Sequence, residues 1–195
     1  MGRDRREAIL QVAGDLFAEK GIGATTVREI GERAGVHSGS LYHWFASKDA
    51  IVAELMAGYM ADIHGRFAAV SAAASTPRAA VEGFMKATLA VIEDHPRPTA
   101  IYQQDRTYLR SKGLLTAVDE SSRGVRDYWL AAIEAGIADG TFRADVPAET
   151  FYRAVRDALW ASRHWPVREQ HTREEFSAQM VRIFLHGFLA AQGMP

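Results

Sequence analysis

Between residues 25 and 48 the chain carries short polar side chains at spacings that suit contact with a nucleic acid. Ser38, Gly39 and Ser40 stand together, with Tyr42 and His43 just beyond them. Small residues let a backbone approach a groove, and hydroxyls can bond base edges or phosphate oxygens. Tyr42 and His43 are long enough to reach a base or a phosphate, and Lys48 offers a phosphate a cation. Thr25 and Thr26 stand at a predicted helix start, where free amides attract an anion. Arg28 and Arg33 lie on that helix and read more readily as solvated charges than as contacts, with Arg28 kept among the candidates. Arg3, Arg5 and Arg6 read either as a DNA-touching arm or as a solvated end, since Asp4 and Glu7 dilute their charge. Catalytic patterns are missing: there is no H-E-x-x-H, no Walker loop and no G-x-S-x-G elbow, and the seven histidines are scattered. No catalytic residue, metal site or cofactor is therefore expected.

Those side chains need a frame, and the periodicity supplies one. Apolar residues recur at three- and four-residue spacing almost throughout, which predicts an all-α chain of about nine helices. The first runs from about Arg3 to Lys20, with Ile9, Val12, Ala13, Leu16 and Phe17 on one face and Gly21 as its left-handed cap. Thr26 and Glu29 form a capping box that opens a short second helix ending at Ala34-Gly35. Ala34-Gly35-Val36 is a tight turn, and Ser38 begins the next helix. Ile30, Ala34 and Leu41 can share a small core with Leu16, Phe17 and Phe45; Trp44 is open between packing and backbone contact. This order is a helix-turn-helix, whose second helix enters the major groove while the first braces it.

Beyond it, a long fourth helix runs from Ser47 to about Ala73 and is the element expected to couple the two halves of the chain. A fifth opens at Ser75-Thr76-Pro77 and stops before Pro96, and a sixth covers Thr99 to Leu109. A seventh spans Leu114 to Ala138, an eighth runs from Asp145-Val146-Pro147 to about His164, and a ninth opens on the Thr172/Glu175 capping box. The expected division is a DNA-binding domain over 1–47 and an effector-binding and dimerisation domain over 48–195.

Hydrophobic residues make up 48% of the 195 positions and charged residues 24%, enough apolar material for a real core. The net charge is −1, and the first 50 residues balance seven basic residues (Arg3, Arg5, Arg6, Lys20, Arg28, Arg33, Lys48) against seven acidic ones (Asp4, Glu7, Asp15, Glu19, Glu29, Glu32, Asp49). Any DNA contact must therefore come from charges segregated by face. Cysteine is absent, no signal-peptide core follows Met1, and no uncharged stretch reaches the ~20 residues of a spanning helix. A soluble, cytoplasmic protein without membrane contact is expected.

In the eighth helix Tyr152, Arg156, Trp160 and His164 share one face, with Phe151, Val155 and Leu159 beside it. In the ninth, Phe176, Met180, Phe184 and Phe188 recur every four residues. These last two helices can form half of a four-helix dimer interface, or they can simply be monomer core. Arg156, set among apolar positions, needs an acceptor: an acid such as Asp105 or Glu134, or the polar group of a ligand. Asp157 follows directly but points elsewhere on a helix, so it is not an obvious partner.

The run from Ala24-Thr25-Thr26-Val27 through Ala34-Gly35-Val36 to Ser40-Leu41-Tyr42-His43-Trp44-Phe45 and Ser47-Lys48-Asp49 resembles the N-terminal signature of the TetR family of transcriptional regulators. The resemblance implies a homodimeric repressor on a palindromic operator, released by a small-molecule effector, with DNA contacts from Thr26, Ser38, Ser40, Tyr42, His43 and Lys48. A second resemblance extends over most of the chain. Ile101-Tyr102-Gln103, Gly140-Thr141-Phe142-Arg143-Ala144-Asp145 and Val155-Arg156-Asp157 with Trp160, Arg163 and Trp165 look like TetR-type repressors of steroid-ring catabolism. That implies an acyl-CoA thioester as effector, with Arg156 bonding a polar group of it, Trp160 packing on its apolar part, and Tyr102 and Arg163 as further contacts. A drug or signalling molecule is the alternative effector; an all-helical enzyme and a ligand-binding scaffold without DNA binding are the alternatives from other classes.

Overall fold

Ile9, Ala13, Leu16 and Phe17 fall on one stripe of the first helix, and all four are buried. That stripe is the floor on which the N-terminal helices pack. A computed structural model describes residues 2–187, with the side chains of 2–4, 38, 115–119 and 121 outside the description. Ten α-helices follow one another among the described residues: α1 (Gly2–Lys20), α2 (Val27–Ala34), α3 (Ser38–Leu41), α4 (Lys48–Ala73), α5 (Pro77–Asp94), α6 (Pro96–Gln104), α7 (Arg106–Ser111), α8 (Leu115–Ala138), α9 (Ala148–Ala161) and α10 (Arg173–Val181). Two 3-10 turns, Ser162–His164 and Pro166–Gln170, separate α9 from α10, and a π turn over Arg182–His186 follows α10. The described residues contain no strand and no helix long and apolar enough to cross a membrane.

The chain divides into two compact units. One comprises Met1–Asp62 with His95–Arg123; the other comprises Ile63–Asp94 with Gly124–Pro195. The division falls inside α4 and inside α8. In the first unit α1 packs on α2 and on α6, and Ile22, Ile30, Leu41, Ile51 and Met56 close the core. Gly21 takes φ 85° and returns its N–H to Phe17 at 2.8 Å, which turns the chain out of α1. In the second unit an aromatic cluster forms the centre. Phe67 and Phe84 stack at 5.1 Å, Trp129 lies 5.4 Å from Phe84, and Tyr152 lies 6.0 Å from Trp129.

The expected single helix over Thr99 to Leu109 is two helices. It starts earlier, because Pro96 sits at the first helical position, where its missing N–H costs no bond. It breaks at Asp105, whose backbone leaves the helical region at φ −103°, ψ 20°. The helix expected to end near His164 tightens to 3-10 geometry after Ala161. The last helix opens on Thr172 and Glu175, which satisfy each other's amides, and loses α-helical pairing at Arg182. Phe176 and Met180 are buried in this chain's own core, which is the monomer-core reading of that stripe, while Phe184 is partly exposed and meets Phe151 edge-on at 6.3 Å. Phe188 lies outside the described residues.

Candidate nucleic-acid interface

α2 and α3 are short and have little packing surface, so a few buried side chains must hold them. Ile30, Leu41 and Phe45 do this from beneath, each essentially inaccessible to water. The turn between the helices depends on Gly35, which takes φ 65° and donates to Glu32 O at 3.2 Å, while Val36 donates to Gly31 O at 2.9 Å. Arg5 closes the arrangement by donating to Gly35 O at 2.7 Å, and Arg6 pairs with Glu54 and lies over the Phe45 ring. Both arginines therefore brace the fold instead of forming a loose arm; Arg3 has its side chain outside the described residues.

With Leu41 turned inward, the flanking residues face water. Gly39, Ser40, Tyr42 and His43 are all exposed, Tyr42 at 57% the most exposed large hydrophobic residue described. His37, at the cap position of α3, is exposed beside them, although the sequence reading did not single it out. A Cβ at Gly39 would meet nothing within 4 Å, so its lack of a side chain leaves open surface, not a packing contact. The Ser38 side chain lies outside the described residues. Trp44 is half-buried, which leaves part of its ring for packing and part for backbone contact.

Three other candidates are held differently from what their residue types suggest. Thr25 is 1% exposed, and its hydroxyl donates to Gly21 O at 2.9 Å and Leu16 O at 3.3 Å. In this conformation its side chain fixes the loop between α1 and α2 and presents nothing to a DNA backbone. Thr26 caps α2, with its N–H and hydroxyl both donating to Glu29 Oε2, at 2.8 and 2.9 Å. Lys20 pairs with the same carboxylate, and these bonds pull the Glu29 carboxyl down to about 2. The expected anion site at Thr26 is thus filled by a side chain of the helix itself. Lys48 donates to Ile22 O at 2.6 Å and Thr25 O at 2.8 Å, with its ammonium 5.5 Å from the Tyr108 ring. It holds the loop from α4 and keeps one N–H for another acceptor. Arg28 is paired with Glu32 one turn on, and both ends of that pair are well exposed, so the arginine can exchange its partner at small cost.

The expected effector contacts fall in different units. Tyr102 lies on α6 in the first unit, where Arg106 stacks over its ring at 4.9 Å and donates to its hydroxyl at 3.1 Å. Arg156, Trp160 and Arg163 lie in the second. Arg156 does not pair with Asp105 or Glu134. Its Nε donates to Asp157 Oδ1 at 2.8 Å, and its guanidinium lies over the Tyr152 ring at 5.5 Å. Adjacent helical positions diverge at Cβ, but an arginine stem is long enough to fold back across that gap. Asp105 instead accepts from the Ile22 N–H. Sequence reasoning also missed Trp129, 2% exposed at the centre of the aromatic cluster, because a single tryptophan in an alanine-rich helix gives no periodic signal. Among the described residues no group of three or more His, Cys, Asp or Glu side chains could hold a metal ion.

Comparison with known proteins bears on both units. Residues 9–55 match the family described as bacterial regulatory proteins, tetR family, and residues 74–188 match the tetracyclin repressor-like C-terminal domain. The HTH-type transcriptional repressor KstR2 of Rhodococcus jostii (strain RHA1) is 37% identical over 161 residues, covering 83% of this chain and 79% of the relative. The repressor of the same name from Mycolicibacterium smegmatis is 33% identical over 194 residues, 97% of this chain and 93% of the relative. The solved structure of the ketosteroid transcriptional regulator KstR2 of Mycobacterium tuberculosis superposes with a TM-score of 0.87 at 34% identity, over 94% of each chain.

Proposed function

The chain belongs to the TetR family of bacterial regulatory proteins, and from that premise we propose that it acts as a dimeric repressor whose α3 helices read a palindromic operator until a small-molecule effector releases them. The chain is a transcriptional regulator and not an enzyme, as its relatives are. The observation that carries the finer reading is the exposed run at Gly39, Ser40, Tyr42 and His43, set on a segment whose Leu41 and Phe45 are buried. A surface of that kind supplies hydroxyl, phenol and imidazole groups without a core to fill. Tyr42, His43 and Ser40 are assigned to base edges or phosphates, Lys48 and Arg28 to phosphates, and Thr25 to holding the loop behind them. The domain boundary near residue 47 is part of the same proposal, with α4 carrying the reading helices. Dimerisation is assigned to α9 and α10; α9 keeps Ala154 and Ala161 exposed, and small residues allow close helix approach.

For the effector, we propose a CoA thioester of steroid or fatty-acid catabolism. Support comes from the likeness to the ketosteroid transcriptional regulator KstR2 of Mycobacterium tuberculosis over 94% of this chain, and from the family match over residues 74–188, which contain Arg156, Trp160 and Arg163. Arg156 would bond a polar group of the ligand, Trp160 would pack on its apolar part, and Tyr102 and Arg163 would add contacts. The pairing of Arg156 with Asp157 favours a second reading, in which the ligand is a drug or signalling molecule that carries no anion, because that guanidinium already has its acceptor. Either ligand releases DNA only by binding the DNA-incompetent arrangement more tightly.

Selection from a random duplex library tests the operator. Enrichment of a two-fold-symmetric site with half-sites about one helical turn apart supports the reading, and no enrichment at low salt overturns it. Adding steroid-derived acyl-CoA to the recovered complex then tests the effector: release supports the thioester, and release by uncharged ligands alone supports the alternative.

A further inference from the structure

The loop between α1 and α2 is held from outside the helix-turn-helix. Asp105, at the joint between α6 and α7, accepts the Ile22 N–H on both carboxylate oxygens, at 3.2 and 3.3 Å, across 83 residues of sequence. Gly21 makes room for it, since a Cβ there would stand 3.3 Å from Asp105 Oδ1. Lys48 takes the carbonyls of Ile22 and Thr25 in the same loop. Tyr108, one turn into α7, donates to Asp49 Oδ1 at 2.6 Å and so ties α7 to the first turn of α4. The break that splits the expected sixth helix is thus the place where a carboxylate leaves the helix to meet this loop.

We propose that Asp105 is a positioning residue for operator binding: from the α6–α7 joint its carboxylate fixes the α1–α2 loop, and with it the pose of α2 and α3. The loop leads directly into the Thr26 cap of α2, so a displacement of Ile22 is carried to the reading surface by a few covalent bonds and one short helix. Burial raises the Asp105 carboxyl above the usual carboxylate range, against the opposing pull of the Ile22 amide and the Lys48 charge. A carboxyl raised in the folded state lowers stability when ionised, and that loss is recovered only as pH falls through the raised value. The ionised group nonetheless stands beside a backbone amide that it orients. The same joint stands one turn from Tyr102, so an effector contact on α6 would act on the anchor directly. That last clause rests on the effector reading above; the anchor itself does not.

The test compares Asp105→Ala with Asp105→Asn. Alanine removes the acceptor, and operator affinity should fall about tenfold, the loss typical of a charge-assisted hydrogen bond. Asparagine keeps one carbonyl acceptor and should restore most of the affinity. The slope of affinity against salt should not change in either variant, because no phosphate contact is lost. Amide hydrogen exchange supplies a readout independent of DNA: exchange over residues 22–35 should quicken in Asp105→Ala and not in Asp105→Asn. Equal operator affinity in Asp105→Ala, or unchanged exchange in that segment, overturns the proposal. So does a loss of affinity that asparagine does not restore and that tracks a lower urea midpoint. Absence of any operator for the unsubstituted chain would count against the repressor reading, while the exchange experiment would still decide the anchor.

Discussion

The two units solve the same problem, burial of an apolar face, with different amounts of material. The second unit has four linked rings at its centre, Phe67, Phe84 and Trp129 in contact with one another and Tyr152 against Trp129. Its Glu93 and Asp94, at the end of α5, gather Arg66, Arg168 and Arg173 around them. The reading helices of the first unit bury few large side chains of their own, Ile30 and Leu41 with Phe45 just beyond, and are tied by backbone bonds from Arg5, Lys48 and Asp105. Where side chains must remain outside to meet a partner, fewer are left to form a core. Polar bonds to the backbone then do part of the positioning. Large side-chain deletions should accordingly cost most in the second unit, and small backbone or hydrogen-bond changes should matter most for function in the first.

The largest expected effect is at Trp129. Trp129→Ala removes the ring in contact with both Phe84 and Tyr152, and should destabilise the protein by about 3–5 kcal/mol, measured by urea unfolding. A loss below ~1 kcal/mol, the level of a surface change, would break the comparison. Next comes the turn. Gly35→Ala places a Cβ at φ 65°, which should cost roughly 1–2 kcal/mol, and operator affinity should fall with it. Unaltered stability would mean that the turn relaxes to another shape. Thr26→Ala deletes the α2 cap and should cost about 1 kcal/mol. The Glu29 bonds give a pH signature for the same cap. Because its carboxyl is held down to about 2 in the folded state, its contribution is full above the ordinary carboxylate value and fades as pH falls toward 2. Acid titration of the Thr26→Ala variant should show a weaker loss over that window, since the hydroxyl bond to the carboxylate is gone while the backbone N–H bond remains. The smallest change in stability is expected for Tyr42→Phe, within a few tenths of a kcal/mol because the hydroxyl is exposed. Its effect on operator affinity should nevertheless be severalfold. A wild-type affinity would remove Tyr42 from the DNA contacts and blunt the contrast between the units.

What could be read in advance follows the range of the interactions involved. The caps at Thr26 and Thr172, the turn at Gly35 and the inward set of Leu16, Phe17, Ile30, Leu41 and Phe45 are local or periodic, and the structure has each of them in place. Long-range polar contacts are neither. Nothing in the order of residues says that Lys48 would reach carbonyls 23 and 26 positions back, or that a phosphate ligand by residue type would serve the fold. Arg156 shows the converse: the pattern points to a distant partner and the structure supplies its neighbour, because the rule that adjacent helical side chains diverge holds at Cβ and fails for a long flexible stem.

The sequence by itself determined the all-α architecture, the helix-turn-helix and its family, since periodicity, caps and turn residues act within a few positions of one another. Only the tertiary structure decided which polar residues of the reading unit face water and which are committed to its frame. It split one expected helix at Asp105, buried Thr25 and gave Lys48 two loop carbonyls to hold. The physical reason is that a hydrogen bond satisfies a buried carbonyl or amide wherever the donor or acceptor comes from, and the chain distance between the two partners leaves no mark in the sequence.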